Sequence, residues 1–286
     1  MLIKKKYPKA RIKRRRKIKN RSIKGPVLSE SKEMTFWEHL DELRKVLFNS
    51  AILIVVLMCA VFPTKEFLFD KIIFAPLSSD FPFYGFLNGI LALLHASPLP
   101  PFKVNLININ LSAQFFIHMS TSFYVALLLG TPYVLYQLWT FVRPALYENE
   151  KKAVRKTFGF ASFLFYIGVL FSYYVIFPLT LRFLGTYSVS SLVPNEFSFD
   201  SYMSMFIWMN LIMGVVFELP VVAALLSRMK ILSKSLLKKY RKHAFVVMMI
   251  IAAFITPTGD PFTLSAVGLP LYMLYEVSIL VCRDFN

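Results

Sequence analysis

The sequence predicts an all-α, polytopic membrane protein with six transmembrane helices and both ends of the chain on the same side. Three observations carry that prediction. Of 286 residues, 56% are hydrophobic and 29 are phenylalanine, whereas a soluble domain holds about 45–50% apolar residues. The apolar residues gather into runs long enough to cross a bilayer core, which needs roughly 20 residues per helix within a range of about 17–25. Finally, 33 Lys and Arg against 16 Asp and Glu give a net charge of +17, with the positive residues confined to a few segments between the runs.

The elements follow in chain order. The first span covers Val46 to Phe62, but its helix starts earlier, in "TFWEHLDELRKVL". There Thr35 and Glu38 have the spacing of a capping box, and Phe36, Leu40, Leu43 and Leu47 share one helical stripe. The next run, Phe83 to Ala96, has only 14 residues and is read as an interfacial or cap helix. Ser112 to Trp139, Thr157 to Phe177 and Met205 to Leu226 are the second, third and fourth spans. Ala244 to Ile255 is short, and counts as the fifth because the turn-rich "TPTGDP" joins it to the sixth, Phe262 to Val281, as a helical hairpin. The chain thus divides into a basic, disordered tail at 1–34 and a six-helix domain at 35–286.

Orientation comes from the loops. Lys and Arg number 16 in residues 1–45, five in 140–156 and seven in 228–243, against three in 64–111, one in 178–203 and none in 257–261. By the positive-inside rule both termini are cytoplasmic. A nucleic-acid protein would place its basic groups on one folded face among exposed aromatics, whereas here the aromatics sit inside the apolar runs; no nucleic-acid partner is expected. The opening "MLIKKKYPKARIKRRRKIKNRSIKG" lacks the apolar core that follows the charged start of a secretory signal, so its Arg14–Arg16 run is not an export signal. It reads as a tail held to anionic lipid by charge. Cys59 and Cys282, without CxxC spacing or clustered histidines, read as packing residues, and neither a metal nor a cofactor is expected.

One carboxylate interrupts the oil of "NLIMGVVFELPVVAALLSRM". Ten residues separate Glu218 from Arg228, which at about 1.5 Å per residue puts the carboxyl roughly 15 Å deep, near the bilayer midplane. An acid there costs about 2.5–3.5 kcal/mol on insertion scales, so it calls for a protein partner or a polar pocket. Pro220 deprives the Val216 carbonyl of its helical partner and should kink the span beside it. Glu218 either ties neighbouring helices of its own chain together or meets an incoming polar group. A second acid, Glu276, sits about 10 Å deep by the same rise, and a structural and a functional role are equally open to it.

The basic side also carries acids. Glu38, Asp41 and Glu42 line the polar face of the first helix, a pattern that is usually only a solvated surface. Glu148 and Glu150 open the helix after Pro144, where carboxylates complement the helix dipole. The sharper reading is that Glu42 and Glu150 together offer two carboxylates to a ligand with two guanidiniums, since Arg pairs with carboxylate in a planar two-bond geometry that Lys cannot copy.

Four motifs in order, "HLDELRKVL", "FVRPALYENEKKA", "GVVFELPVV" and "ITPTGDPFTLSAVGLPLYMLYE", resemble those of the C subunit of the twin-arginine protein translocase (TatC). The resemblance runs from about residue 35 to the end. It implies a six-helix receptor in the bacterial cytoplasmic membrane that binds Arg-Arg signal peptides and moves folded cargo outward on the proton-motive force. Its implied partners are small single-span subunits of TatA and TatB type, the lipid bilayer, and further copies in an oligomer. In that family acids matching Glu42 and Glu150 contact the twin arginines, apolar positions matching Phe141 and Leu146 belong to the signal-binding loop, and an intramembrane acid matching Glu218 meets polar groups of partner helices. Pro76, in "FAPL", matches a proline of the first outer loop. The family often has a compact "TPPD" after the fifth span; here "TPTGD" has one residue more, and Asp260 is matched across that insertion.

Two other function classes fit the sequence less well. An ion-coupled secondary transporter could use Glu218 as its proton carrier beside Pro220, but no matching broken helix occurs in a second half of the chain. An enzyme finds no support: HExxH, GxSxG and GxxxxGK[ST] are all missing, and His39, His95, His118 and His243 are scattered.

Overall fold

A computed structural model describes residues 36–95, 97–100, 104–143, 148–190, 192, 195–256 and 260–284, with the side chains of 36, 148–156 and 262 left aside. The basic tail and Thr35, with its expected cap, lie outside the described residues. Helix α1 runs Phe36–Val61, α2 Pro82–Leu93 and α3 Ala113–Val142. A third long rod begins as α4, Glu148–Phe171, widens into a π-helical stretch at Ser172–Ile176, and ends as α5, Phe177–Thr186. The fourth is α6, Phe199–Val216, followed by α7, Leu219–Arg228. A short α8, Lys234–Lys239, then leads to α9, Arg241–Ile255, and α10, Pro261–Val281.

Five stretches among the described residues are long and apolar enough to cross a membrane: Trp37–Thr64, Ala113–Val142, Thr157–Thr186, Phe199–Arg228 and Thr263–Val281. The expected fifth of six spans, α9, has 15 residues and so reaches only about 22 Å. The chain is therefore an all-helical polytopic membrane protein with five candidate spans of full length and one short helix. The expected all-α class has one small exception, a parallel pairing of β1, Leu106–Ile107, with β2, Phe197–Ser198. Two extended loops meet there, and Phe197 N–H donates to the Asn105 carbonyl at 3.4 Å.

The hairpin of α9 and α10 forms as its turn predicts. Arg241 faces Glu276, Phe245 faces Tyr272, and Met249 faces Gly268, one turn at a time in opposite directions. A Cβ on Gly268 would stand 2.5 Å from the Met249 sulfur, so the missing side chain lets the two helices close. The first helix differs from its expected stripe. Val46 and Ser50 are buried while Leu40 and Leu47 are exposed, because α1 packs through the face that meets Gly130 of α3, where Leu53, Ile54 and Leu57 lie.

The main core joins α3, the third rod, α6, α9 and α10 around Phe177, Met209, Met213, Ala252, Val267 and Leu271. Polar contacts gather the loops at two ends. At one, Tyr173 OH donates to the Ile72 carbonyl at 2.8 Å, Tyr202 OH to the Ile73 carbonyl at 2.5 Å, and Arg182 to the Pro100 carbonyl at 2.7 Å. At the other, Arg283 N–H donates to Ser227 Oγ at 2.9 Å and Ser235 N–H to Asp284 at 2.7 Å.

Candidate functional site

The fourth rod breaks where Pro220 predicts. Phe217 N–H still reaches the Met213 carbonyl at 3.0 Å, but Glu218 N–H bonds one residue short, to Val215 at 3.0 Å, and the next regular bond is Val222 to Glu218 at 2.9 Å. Glu218 therefore occupies the tight turn between α6 and α7, half-buried. Its Oε1 is buried without a hydrogen-bond partner, and among the described residues the side chain makes neither a hydrogen bond nor an ion pair.

The break is wedged against the third rod by two glycines. A Cβ on Gly168 would stand 2.7 Å from the Met213 carbonyl oxygen and 2.7 Å from the Phe217 ring, and one on Gly214 2.8 Å from both Phe165 and Val169. Only hydrogen at these positions lets the two rods approach so closely. Beginning at Pro220, an apolar groove of about 710 Å³ runs between α4, α7 and α10, lined by Leu164, Val221, Ala224, Leu274 and Val277.

The acids flanked by basic residues sit elsewhere. Glu42 is half-buried on α1 and takes an ion pair from Lys45 at 3.0 Å. The sequence reading overlooked Lys45, although it lies three residues on along the same helix face. Phe141 is half-buried in the last turn of α3. Glu150 belongs to the first turn of α4, but its side chain and the whole of Leu146 lie outside the described residues. Trp139 packs with Val142, Phe158 and Leu225, joining α3, α4 and α7.

The remaining candidates have local partners. Pro76 is buried, and its carbonyl accepts from Tyr84 OH at 3.1 Å, which also reaches the Pro178 carbonyl at 3.3 Å. Burial pushes the Tyr84 phenol up from its ordinary value, an effect that the Arg182 guanidinium opposes. Asp260 caps α10, accepting from Thr263 N–H at 2.8 Å and from the Thr263 hydroxyl. Glu276 binds Arg241 at 2.6 Å and accepts from Tyr272 OH at 3.0 Å. Among the described residues no group of His, Cys, Asp and Glu is arranged to hold a metal.

One polar residue was missed, although it opens the stretch that drew attention to Glu218. Asn210 is fully buried; its Nδ2 donates to the Phe206 carbonyl at 2.7 Å and its Oδ1 has no partner. An amide two helical turns from an acid, in an otherwise apolar run, was the available signal.

Comparison with known proteins gives one consistent answer. The family model described as Sec-independent protein translocase protein (TatC) matches residues 38–270. The TatC protein of Blattabacterium sp. subsp. Periplaneta americana is 35% identical over 257 residues, covering 88% of this chain and 96% of that one. TatCy of Bacillus subtilis is 32% identical over 253 residues, covering 88% and 89% respectively. The crystal structure of the twin arginine translocase receptor TatC in DDM superposes with a TM-score of 0.70 at 30% identity, over 86% of this chain and 100% of that one.

Proposed function

The chain belongs to the family of Sec-independent protein translocase proteins (TatC), and from that premise we propose what its individual residues do. As a family member it is the receptor component of the twin-arginine translocase and a translocase subunit, not an enzyme. The observation that carries this is the agreement of family model and fold over nearly the whole chain beyond residue 37. It sits in the membrane as a multi-pass protein. We orient it with both termini and the basic loops in the cytoplasm of a bacterium, count α9 as the fifth of six spans despite its length, and place residues 1–34 against anionic lipid through their charge.

Glu42 and Glu150 bind the two arginines of a signal peptide, and Phe141 and Leu146 seat the apolar residues beside them. The Lys45 ammonium that pairs with Glu42 at 3.0 Å is a half-solvated neighbour on the same helix, a pairing worth no more than about 0.5 kcal/mol. An incoming guanidinium displaces it readily, because it exchanges one point contact for a planar pair of hydrogen bonds. Glu218 receives a polar group from a single-span partner helix of TatA or TatB type lying along the groove that starts at Pro220. The unpartnered carboxyl supports this reading, since lipid offers it nothing. Assembly with such partners and with further copies, and export of folded cargo on the proton-motive force, follow from family membership.

Two measurements test the account. Replacing Glu42 and Glu150 together by Gln should reduce binding of an Arg-Arg signal peptide at least tenfold, with little change for a weakly bound Lys-Lys peptide. Equal losses for both peptides would reveal a general folding defect instead. At the second site Glu218→Gln keeps hydrogen-bonding capacity and should preserve crosslinks to partner helices better than Glu218→Ala. Unchanged crosslinking in Glu218→Ala would refute the assignment.

A further inference from the structure

An open pocket of about 580 Å³ lies where the first and second spans end on the side away from the basic loops. Lys65, Glu66 and Asp70 reach it from the chain leaving α1, which winds into a π-helical stretch at Phe67–Ile73. Phe69 of that stretch and Phe74 just after it meet Phe199, which opens α6, with ring centroids 5.9, 6.0 and 6.3 Å apart. The rings are half-buried and the three charged groups exposed, so the pocket has an apolar floor and a charged rim. His118 of α3 makes one side; its Nε2 lies 2.9 Å from the Phe62 carbonyl, and its ring stacks on that of Phe62 at 4.0 Å. Thr64 ends the first candidate span and Ala113 opens the second, so the rim stands at the membrane interface. Phe62 and Phe115, just inside those ends, are exposed at 36% and 58% and continue the pocket as an apolar slope toward hydrocarbon.

The charges are the unusual part. Among the described residues the Glu66 and Asp70 carboxylates have neither an ion pair nor a hydrogen bond, and Lys65, although next to Glu66 in the chain, pairs with neither. His118 apart, the pocket presents one cation and two anions in a chain whose net charge is +17. Unpaired groups of both signs at an interface suit a ligand that is itself a zwitterion. Over an apolar floor each attraction gains strength from the lowered dielectric, and two carboxylates favour a cation that has N–H groups to donate to them. An inorganic ion fits less well, because no group of His, Cys, Asp and Glu among the described residues is arranged to hold a metal. A soluble amine would leave the apolar slope unused.

We propose that the pocket binds the headgroup of a phospholipid bearing a primary ammonium, in the leaflet away from the basic loops. Glu66 and Asp70 accept from the ammonium, Lys65 meets the phosphate, and Phe62 and Phe115 lie along the acyl chains. A lipid seated there bridges the ends of α1 and α3 with the start of α6. This inference rests on the membrane-spanning reading of the chain but not on the roles given to Glu42, Glu150 or Glu218.

The test titrates the delipidated full chain in detergent with phosphatidylethanolamine or phosphatidylcholine of identical acyl chains, and counts retained lipid by native mass spectrometry. Phosphatidylethanolamine should bind about three- to tenfold more tightly, the combined size of two exposed ion pairs. Glu66→Gln with Asp70→Asn should remove that preference, and each single replacement should remove part of it, so the result does not hang on the double variant folding. Lys65→Gln should weaken both lipids alike, because both carry the phosphate. Asp80→Asn, at an exposed acid outside the pocket, should change nothing. Equal binding of the two lipids to the native chain, or a preference that survives the double replacement, would overturn the proposal. So would displacement of phosphatidylethanolamine by an equimolar amount of soluble phosphoethanolamine, which would assign the pocket to a free amine. Binding of an Arg-Arg signal peptide should be unchanged in the double variant, which separates this site from Glu42 and Glu150.

Discussion

Adding one methyl group at Gly168 tests whether the helix break is held in place by close packing. The new carbon would stand 2.7 Å from the Met213 carbonyl oxygen, 2.7 Å from Phe217 Cγ and 2.8 Å from Phe217 Cβ, against an ordinary carbon contact of about 3.5–4.0 Å. Two of these three atoms cannot swing aside, one being backbone and one a Cβ, so the rods must separate by about an ångström. Overpacking of this kind costs about 1–3 kcal/mol. Alanine also favours a helix over glycine by about 0.8–1.0 kcal/mol, and Gly159 supplies the control for that gain. It lies on the same α4 with nothing within 4 Å of its ideal Cβ. Gly159→Ala should therefore raise the thermal midpoint of the detergent-solubilised protein, and Gly168→Ala should fall below it by the clash alone. At about 2–4 °C per kcal/mol for chains of comparable size, the gap should be several degrees. Equal midpoints for the two variants would refute the claim that the rods touch through Gly168.

Two further predictions concern the loop-side contacts. Tyr84→Phe removes a hydroxyl shared between the Pro76 and Pro178 carbonyls and should cost about 1 kcal/mol. Because burial raises the folded Tyr84 phenol, the unfolded chain loses its proton first, so the stability this group contributes is present below about pH 10 and falls as pH rises beyond it. Hydrogen exchange across residues 75–95 should accelerate above that pH in the native chain more than in Tyr84→Phe; identical profiles would exclude this origin. Glu276→Gln should lower the midpoint by less than about 1 kcal/mol equivalent, since its partner Arg241 is 47% exposed and such pairs are weak. Lost export at an unchanged midpoint would show that Glu276 serves transport rather than the α9–α10 hairpin.

What the sequence makes legible follows from which physical constraints are local. Apolar runs are dictated by bilayer thickness, so the four long rods and α10 could be located, although the third runs on to Thr186, nine residues beyond the expected Phe177, and the fourth begins at Phe199, six before the expected Met205. Pro220 acts on its own helix through a missing N–H, and the break beside Glu218 was accordingly foreseeable. Contacts between rods are not local. Nothing in the residues around Leu40 and Leu47 says that α1 will turn Val46 and Ser50 inward instead, because that choice is made by Gly130 on another helix. Lys45 was within reach of helical spacing and was overlooked. Pro76 could be named as notable, but its partner Tyr84 and the second carbonyl, from Pro178, come together only in the folded loops. The two-residue sheet escaped for the same reason, since neither strand has enough residues to show a period.

The glycines and the acid bear on one another. A half-buried carboxyl with no hydrogen-bond partner among the described residues is a cost that rotation of α7 toward a polar group would remove. Gly168 and Gly214 oppose that relaxation, because they let Phe217 and the Met213 carbonyl sit against the third rod with no spare room. The turn at Glu218 is thus held from the side while its carboxyl remains unsatisfied. Such an arrangement stabilises nothing in the isolated chain, yet it leaves the full hydrogen-bonding capacity of the acid to whatever docks beside it. Preorganisation of this sort lowers the ordering cost of association. If the group existed only to hold the fold, the packing that fixes it would also have satisfied it.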